Sequence, residues 1–219
     1  MTASNPWASL FPVADARVVV SHVIQTWTWA ISARRAHFQF AHDEPKITQY
    51  LASLLNARKD VSGLTGRWSC EDLKLHLAPD GQRLGKRRAD ITYFSDRCQP
   101  ILYLIFEFKK LTQKRRTASL KAYCGSEGMG RFVCGAYGAE EPVGLMVGIL
   151  EKPDHTFQVS LADMLEDPTR VRDLSAILDG TGKAVRAPSA LFPADALFDT
   201  QHSRSSQDMT LAHLILAFA

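Results

Sequence analysis

Three residues of this 219-residue chain have the types and spacing to work on a hard cation: Asp90, Glu107 and Lys109. They lie in the stretch 87–110, which reads as two strands and a turn. Residues 101–108 are apolar at every position but Glu107, the pattern of a central strand covered on both faces. A carboxylate and then a lysine at its end break that pattern, and a charge buried without a partner is costly. Residues 95–100 carry turn formers, so the two runs pair antiparallel. A turn centred between Cys98 and Gln99 sets Asp90 directly across from Glu107, with Cβ atoms about 4.5–5.5 Å apart. Lys109, two residues on, shares their face. Like charges facing each other destabilise a sheet, and a divalent cation between them removes that penalty. Mg²⁺ takes carboxylate oxygens at about 2.0–2.1 Å and keeps waters that can be activated. A slip of one residue would turn Asp90 to the opposite face and dissolve the constellation.

Arg88-Ala89-Asp90 followed by Glu107-Phe108-Lys109 resembles the signature of the PD-(D/E)XK, or restriction-endonuclease-like, nuclease superfamily. Ala89 stands where that family has proline, and 17 residues separate the two acids. The resemblance implies an α/β fold with an αβββαβ core, a central mixed sheet flanked by helices. It implies Mg²⁺, with Mn²⁺ as substitute, held by Asp90, Glu107 and the Phe108 carbonyl, and Lys109 orienting the attacking water. It also points to Glu44, because such nucleases often carry a glutamate in the helix before the first core strand. The alternative for Glu44 is a first-turn acid complementing the helix dipole. The implied activity is a DNA endonuclease of restriction or defence type; the other reading is a catalytically silent subunit that binds nucleic acid or scaffolds a complex. A lone domain without its own reader would take specificity from a homodimer or from a larger assembly.

The basic run Lys86-Arg87-Arg88 abuts Asp90 and suits a phosphate backbone, or is a solvated loop. Lys110 follows the motif directly. Lys121, Ser126 and Arg131 are phosphate contacts by family analogy, or simply exposed.

Composition is ordinary globular material: 46% hydrophobic and 22% charged, which argues against disorder. A net charge of +3 permits a nucleic-acid partner without announcing one. Cys70, Cys98, Cys124 and Cys134 show no zinc spacing and read as reduced thiols in a cytoplasmic protein. The first residues lack a signal-peptide layout, and the apolar run 18–31 is broken by polar residues, so no membrane span is expected.

The remaining pattern predicts one domain with its core over about 43–150. A helix is expected over 14–35, although residues 18–24 also alternate like a strand. Its tryptophans belong to the core rather than to a stacking platform. Asp43-Glu44-Pro45 opens a second helix with Ile47, Leu51, Leu54 and Leu55 as its stripe. Residues 71–78 alternate as a half-buried strand, and Pro79-Asp80-Gly81 is a turn. A helix over 120–137 contains Gly125, Gly128 and Gly130, which predict close packing or a break near Ser126. Residues 143–150 form a strand, reached by a parallel crossover. Beyond it, 156–161 reads as a strand, 162–178 as mostly helix interrupted at Pro168, 179–188 as a linker, and 211–218 as an apolar tail helix. His202 is a proton shuttle, a phosphate ligand or a structural loop histidine.

Overall fold

The computed structural model describes residues 11–77, 83–137, 140–192 and 197–218, with backbone alone for 72–77 and 83–87. Helices α1 (Val13–Ser32) and α2 (Glu44–Arg58) lead into strands β1 (Arg67–Leu77), β2 (Arg83–Ser95) and β3 (Leu102–Leu111). Helices α3 (Arg116–Cys124) and α4 (Met129–Val133) then cross over to β4 (Val143–Leu150). Helices α5 (His155–Glu166) and α6 (Pro168–Asp173) follow, and the chain closes with β5 (Val185–Arg186), β6 (Leu197–His202) and β7 (Met209–Ala217). The described strands form one mixed sheet of order β1-β2-β3-β4-β7-β6-β5. β1, β2 and β3 run as an antiparallel meander; β3 with β4 and β4 with β7 are parallel.

Helices cover both faces. On one, Val20, Val23 and Trp27 of α1 and Ile47, Leu51 and Leu55 of α2 pack on Ile91, Leu104, Phe106 and Phe108. On the other, Leu120 and Tyr123 of α3, Met129 of α4 and Phe157 and Leu161 of α5 pack on Ile105, Met146 and Leu211. Strands buried on both sides explain why β3 and β4 read as continuous apolar runs. Trp27 and Trp68 are core residues, each 2% exposed, and the Trp27 indole N–H donates to the Ala217 carbonyl at 2.8 Å, tying α1 to β7.

The expected helix over 120–137 is two helices, parted where a break near Ser126 was anticipated. Gly128 makes the break possible: a Cβ there would lie 2.1 Å from the Tyr123 carbonyl oxygen. The turn expected at 79–81 lies outside the described residues.

Two elements of the C-terminal part differ from expectation. Residues 156–161 are helical within α5, not a strand. Phe157, Val159 and Leu161 do alternate, but Phe157, Leu161 and Leu165 are buried at helical spacing while Val159 is 45% exposed. Asp154 caps this helix, its carboxylate accepting from the Phe157 N–H at 3.1 Å. The tail over 211–218 is not a docked helix. Most of it is β7, a central strand between β4 and β6 whose residues Leu211 to Leu216 are buried. A fully buried strand and a buried helix segment share the same run of apolar residues, so periodicity cannot tell them apart. The C-terminal part therefore completes the sheet instead of forming a helical extension.

Candidate active site

The site grows from an interruption in β2. Its pairing with β3 runs from Ser95–Leu102 to Ile91–Phe106, the register expected from the turn, and one further step sets Asp90 against Glu107. The strands part there. The Asp90 carboxylate accepts the Phe108 backbone N–H at 2.7 Å through Oδ2, so a side chain continues what the ladder leaves off. The ladder to β1 also skips this point: Cys70 pairs with Ile91 and Asp72 with Ala89, while Glu71 between them adopts φ +54°. A non-glycine residue in that left-handed region costs roughly 1–2 kcal/mol. Glu71 then aims its carboxylate at Arg88 (3.1 Å) and at Gln49 of α2 (3.4 Å).

Glu107 alternates with Phe106 and Phe108 along β3 and is 0% exposed. Its Oε1 accepts from Lys109 Nζ at 2.6 Å and from Arg131 Nη1 at 3.0 Å. Its Oε2 accepts a very short hydrogen bond from the Tyr137 hydroxyl. The same hydroxyl accepts from Arg131 Nη1 at 2.9 Å and lies 3.1 Å from the Arg88 carbonyl. Lys109 Nζ also donates to the Phe108 carbonyl at 2.9 Å and reaches Glu44 Oε1 at 3.4 Å. Glu44 arrives from the first residue of α2, and its Oε2 accepts the Lys110 backbone N–H at 2.8 Å. A bond to the end of β3 gives this acid a job that a helix-dipole role alone would not require.

Asp90, Glu107, Lys109, Phe108 and Glu44 are thus brought together. Burial and the facing Glu107 charge push the Asp90 carboxyl up to about 7, against the pull of Lys109 and the Phe108 N–H. Burial pulls the Lys109 ammonium down, but Glu107, Glu44 and Asp90 outweigh it and hold it above the ordinary lysine value. The Arg131 guanidinium, also penalised by burial, is raised by Glu107. Burial and the same carboxylate push the Tyr137 phenol up.

The expected phosphate contacts are dispersed. The side chains of Lys86 and Arg87 lie outside the described residues. Arg88 pairs with Glu71, and its side chain is 56% exposed. Lys110 turns toward the loop before α2, donating to the carbonyls of Phe40 (2.6 Å) and His42 (2.7 Å) over the Phe40 ring. Lys121 and Ser126 are exposed. Arg131 points inward to Glu107, and with Tyr137 it forms a clamp that no spacing rule in the sequence announced.

His202 stands apart. It is 1% exposed, with Nδ1 at 2.8 Å from the Leu174 carbonyl and Nε2 at 2.7 Å from Thr200 Oγ1. Thr200 Oγ1 lies 2.8 Å from His213 Nε2, and His213 Nδ1 lies 3.0 Å from the Tyr123 hydroxyl. The Leu174 carbonyl can only accept, which fixes the direction of the chain. Tyr123 donates to His213, His213 to Thr200, Thr200 to His202, and His202 to Leu174. Both imidazoles are neutral in this arrangement. Burial lowers His202 to about 4 and His213 well below the ordinary histidine value. His202 is a structural histidine here, with no reach to Asp90 among its hydrogen bonds.

Among the described residues no group of three or more His, Cys, Asp or Glu side chains is arranged to hold a metal ion. The donors that do converge are hard oxygens: Glu107 Oε1, the Phe108 carbonyl and Glu44 Oε1 surround one positive charge, the Lys109 ammonium, beside Asp90. That donor chemistry fits Mg²⁺ or Mn²⁺. Comparison with protein-family models, with curated proteins and with solved structures finds no match for the chain. Among the described residues no helix is long and apolar enough to cross a membrane.

Proposed function

We propose that this chain is a divalent-metal-dependent nuclease, a DNA endonuclease built on a restriction-endonuclease-like core. The observation that carries the reading is the meeting of Asp90, Glu107, Lys109 and Glu44 where β2 and β3 diverge. The order α2, β1, β2, β3, α3, β4 supports it, being the αβββαβ sequence of that core. Asp90, Glu107, the Phe108 carbonyl and Glu44 would hold Mg²⁺, or Mn²⁺ in its place; when bound, the ion supplies charge stabilisation to the attacking and leaving oxygens. Lys109 presents its ammonium at the mouth of this cluster, where it orients the attacking water and offsets charge on the phosphate. Arg131 and Tyr137 hold the Glu107 carboxylate in one orientation from behind. Glu44 fixes the end of β3 by its bond to Lys110 N. Target specificity comes from a homodimer or from a partner subunit.

The test is cleavage of single-stranded, duplex and branched DNA with Mg²⁺ or Mn²⁺, beside Lys109→Ala and Asp90→Ala. Both variants should keep the wild-type circular dichroism spectrum and lose cutting by at least about 100-fold, the scale of one lost electrostatic or acid–base group. Full activity in either would refute the assignment.

A second reading, a nuclease-fold subunit that binds nucleic acid without cutting it, is favoured by one observation. Glu107 already accepts from Lys109, Arg131 and Tyr137. Binding that survives chelation, with no cleavage of any substrate, decides for it.

A further inference from the structure

Arg131 divides its guanidinium between the interior and the surface. Nη1 is committed inward, to Glu107 Oε1 at 3.0 Å and to the Tyr137 hydroxyl at 2.9 Å. Nη2 faces the other way, to Glu127 Oε2 at 2.5 Å. Nε is buried and has no hydrogen-bond partner among the described residues. The Nε and Nη2 hydrogens point in parallel along one edge of the planar group, the edge that takes two oxygens of a carboxylate or phosphate at once. Glu127 satisfies half of that edge. A buried donor left unpaired is costly, so the half-met fork is a feature to explain.

Glu127 belongs to the turn between α3 and α4, and its side chain is 64% exposed against 20% for Arg131. An exposed carboxylate leaves such a pair for water at little cost. A phosphodiester has two non-bridging oxygens at the spacing the fork accepts and brings a full charge. Nη1 meanwhile anchors the guanidinium on Glu107, the carboxylate that Lys109 also binds. A phosphate on the outer edge of Arg131 is therefore held one side chain away from the Lys109 ammonium.

We propose that the Nε–Nη2 edge of Arg131 is the seat of a strand phosphate, and that Glu127 covers this seat until a phosphodiester displaces it. The proposal rests on the nuclease reading and adds to it the residue that seats the backbone and the acid that competes for the seat.

The experiment measures fluorescence anisotropy of a labelled DNA duplex in EDTA, for wild type, Glu127→Gln, Arg131→Lys and the double variant. Glu127→Gln should bind about three- to tenfold more tightly, as one charge-assisted pair no longer has to be exchanged for another. Arg131→Lys keeps the charge and lacks the edge; it should bind more weakly, and Glu127→Gln should bring it no gain. Equal binding by Glu127→Gln and wild type overturns the proposal. So does an equal gain in both arginine and lysine backgrounds, which would be general charge removal. Should Arg131→Lys not fold, the ¹⁵N–Hε resonance of Arg131 in the wild-type chain decides. A shift on DNA titration supports the seat, and an unmoved resonance excludes it. Cleavage by the wild type and its loss in Lys109→Ala are scored separately. If cutting persists while Glu127→Gln is neutral, only the phosphate seat falls; if no form binds or cuts, the nuclease reading falls with it.

Discussion

Tyr137→Phe removes one oxygen atom and tests how Glu107 is kept in the core. Glu107 is 0% exposed, and its two oxygens are served differently. Lys109 and Arg131 both donate to Oε1, whereas the hydrogen bond on Oε2 comes from the Tyr137 hydroxyl. The phenylalanine variant leaves Oε2 without that donor and with no water to replace it. A hydrogen bond to a charged group contributes about 1.5–3 kcal/mol. For a chain of this size 1 kcal/mol moves the melting midpoint by about 2–4 °C, so the expected drop is ~3–12 °C. Thermal unfolding followed by circular dichroism measures it, with urea midpoints as a check. The Glu107→Gln background isolates the pair. A neutral amide oxygen makes a weaker bond, so Tyr137→Phe should then cost only about 0.5–1.5 kcal/mol. A loss below about 0.5 kcal/mol in the wild-type background, the range of an ordinary surface change, would refute the reasoning. So would an equal loss in both backgrounds.

The buried pair His202 and His213 makes the fold sensitive to acid. Unfolded, each histidine takes up a proton as pH falls through about 6.5. Folded, His202 resists until about 4 and His213 until lower still. The unfolded chain thus binds more protons in this window, and stability should fall from about pH 6.5 to about pH 4, by roughly 3 kcal/mol from His202 alone. Urea midpoints at pH 7 and pH 5 measure the loss, and a flat profile would show that the chain of neutral imidazoles is not kept. Val159→Lys should stay within about 0.5 kcal/mol of wild type, because Val159 is on the exposed side of α5, while Phe157→Ala should cost about 3–5 kcal/mol. Similar losses for the two would favour a strand. Glu44→Gln should weaken Mn²⁺ binding in isothermal titration calorimetry by about 10-fold, the loss typical of altering a metal site's supporting contacts. Unchanged affinity would return Glu44 to a helix-terminus role.

The hairpin was legible from residue types alone. Turn formers between two apolar runs set its register, and the register places Asp90 against Glu107 whatever the rest of the chain does. The helix opened by Asp43-Glu44-Pro45 was legible for a similar reason, since proline and acids act at a helix start through local backbone geometry. Strand β4 was legible because an apolar run of strand length lay between proline-marked loops. What sequence left open depends on contacts between distant residues. Whether Glu44 faces solvent or the end of β3 is decided by a bond spanning 66 positions. The roles of Arg131 and Tyr137 depend on how the chain breaks at Gly128 and returns beneath β3. The apolar run that became β7 carries no periodic signature, and only its place between β4 and β6 makes it a strand. Local stereochemistry thus determined the hairpin and its two acids, while long-range packing decided which other side chains reach them, because a buried charge takes whatever partners the fold delivers.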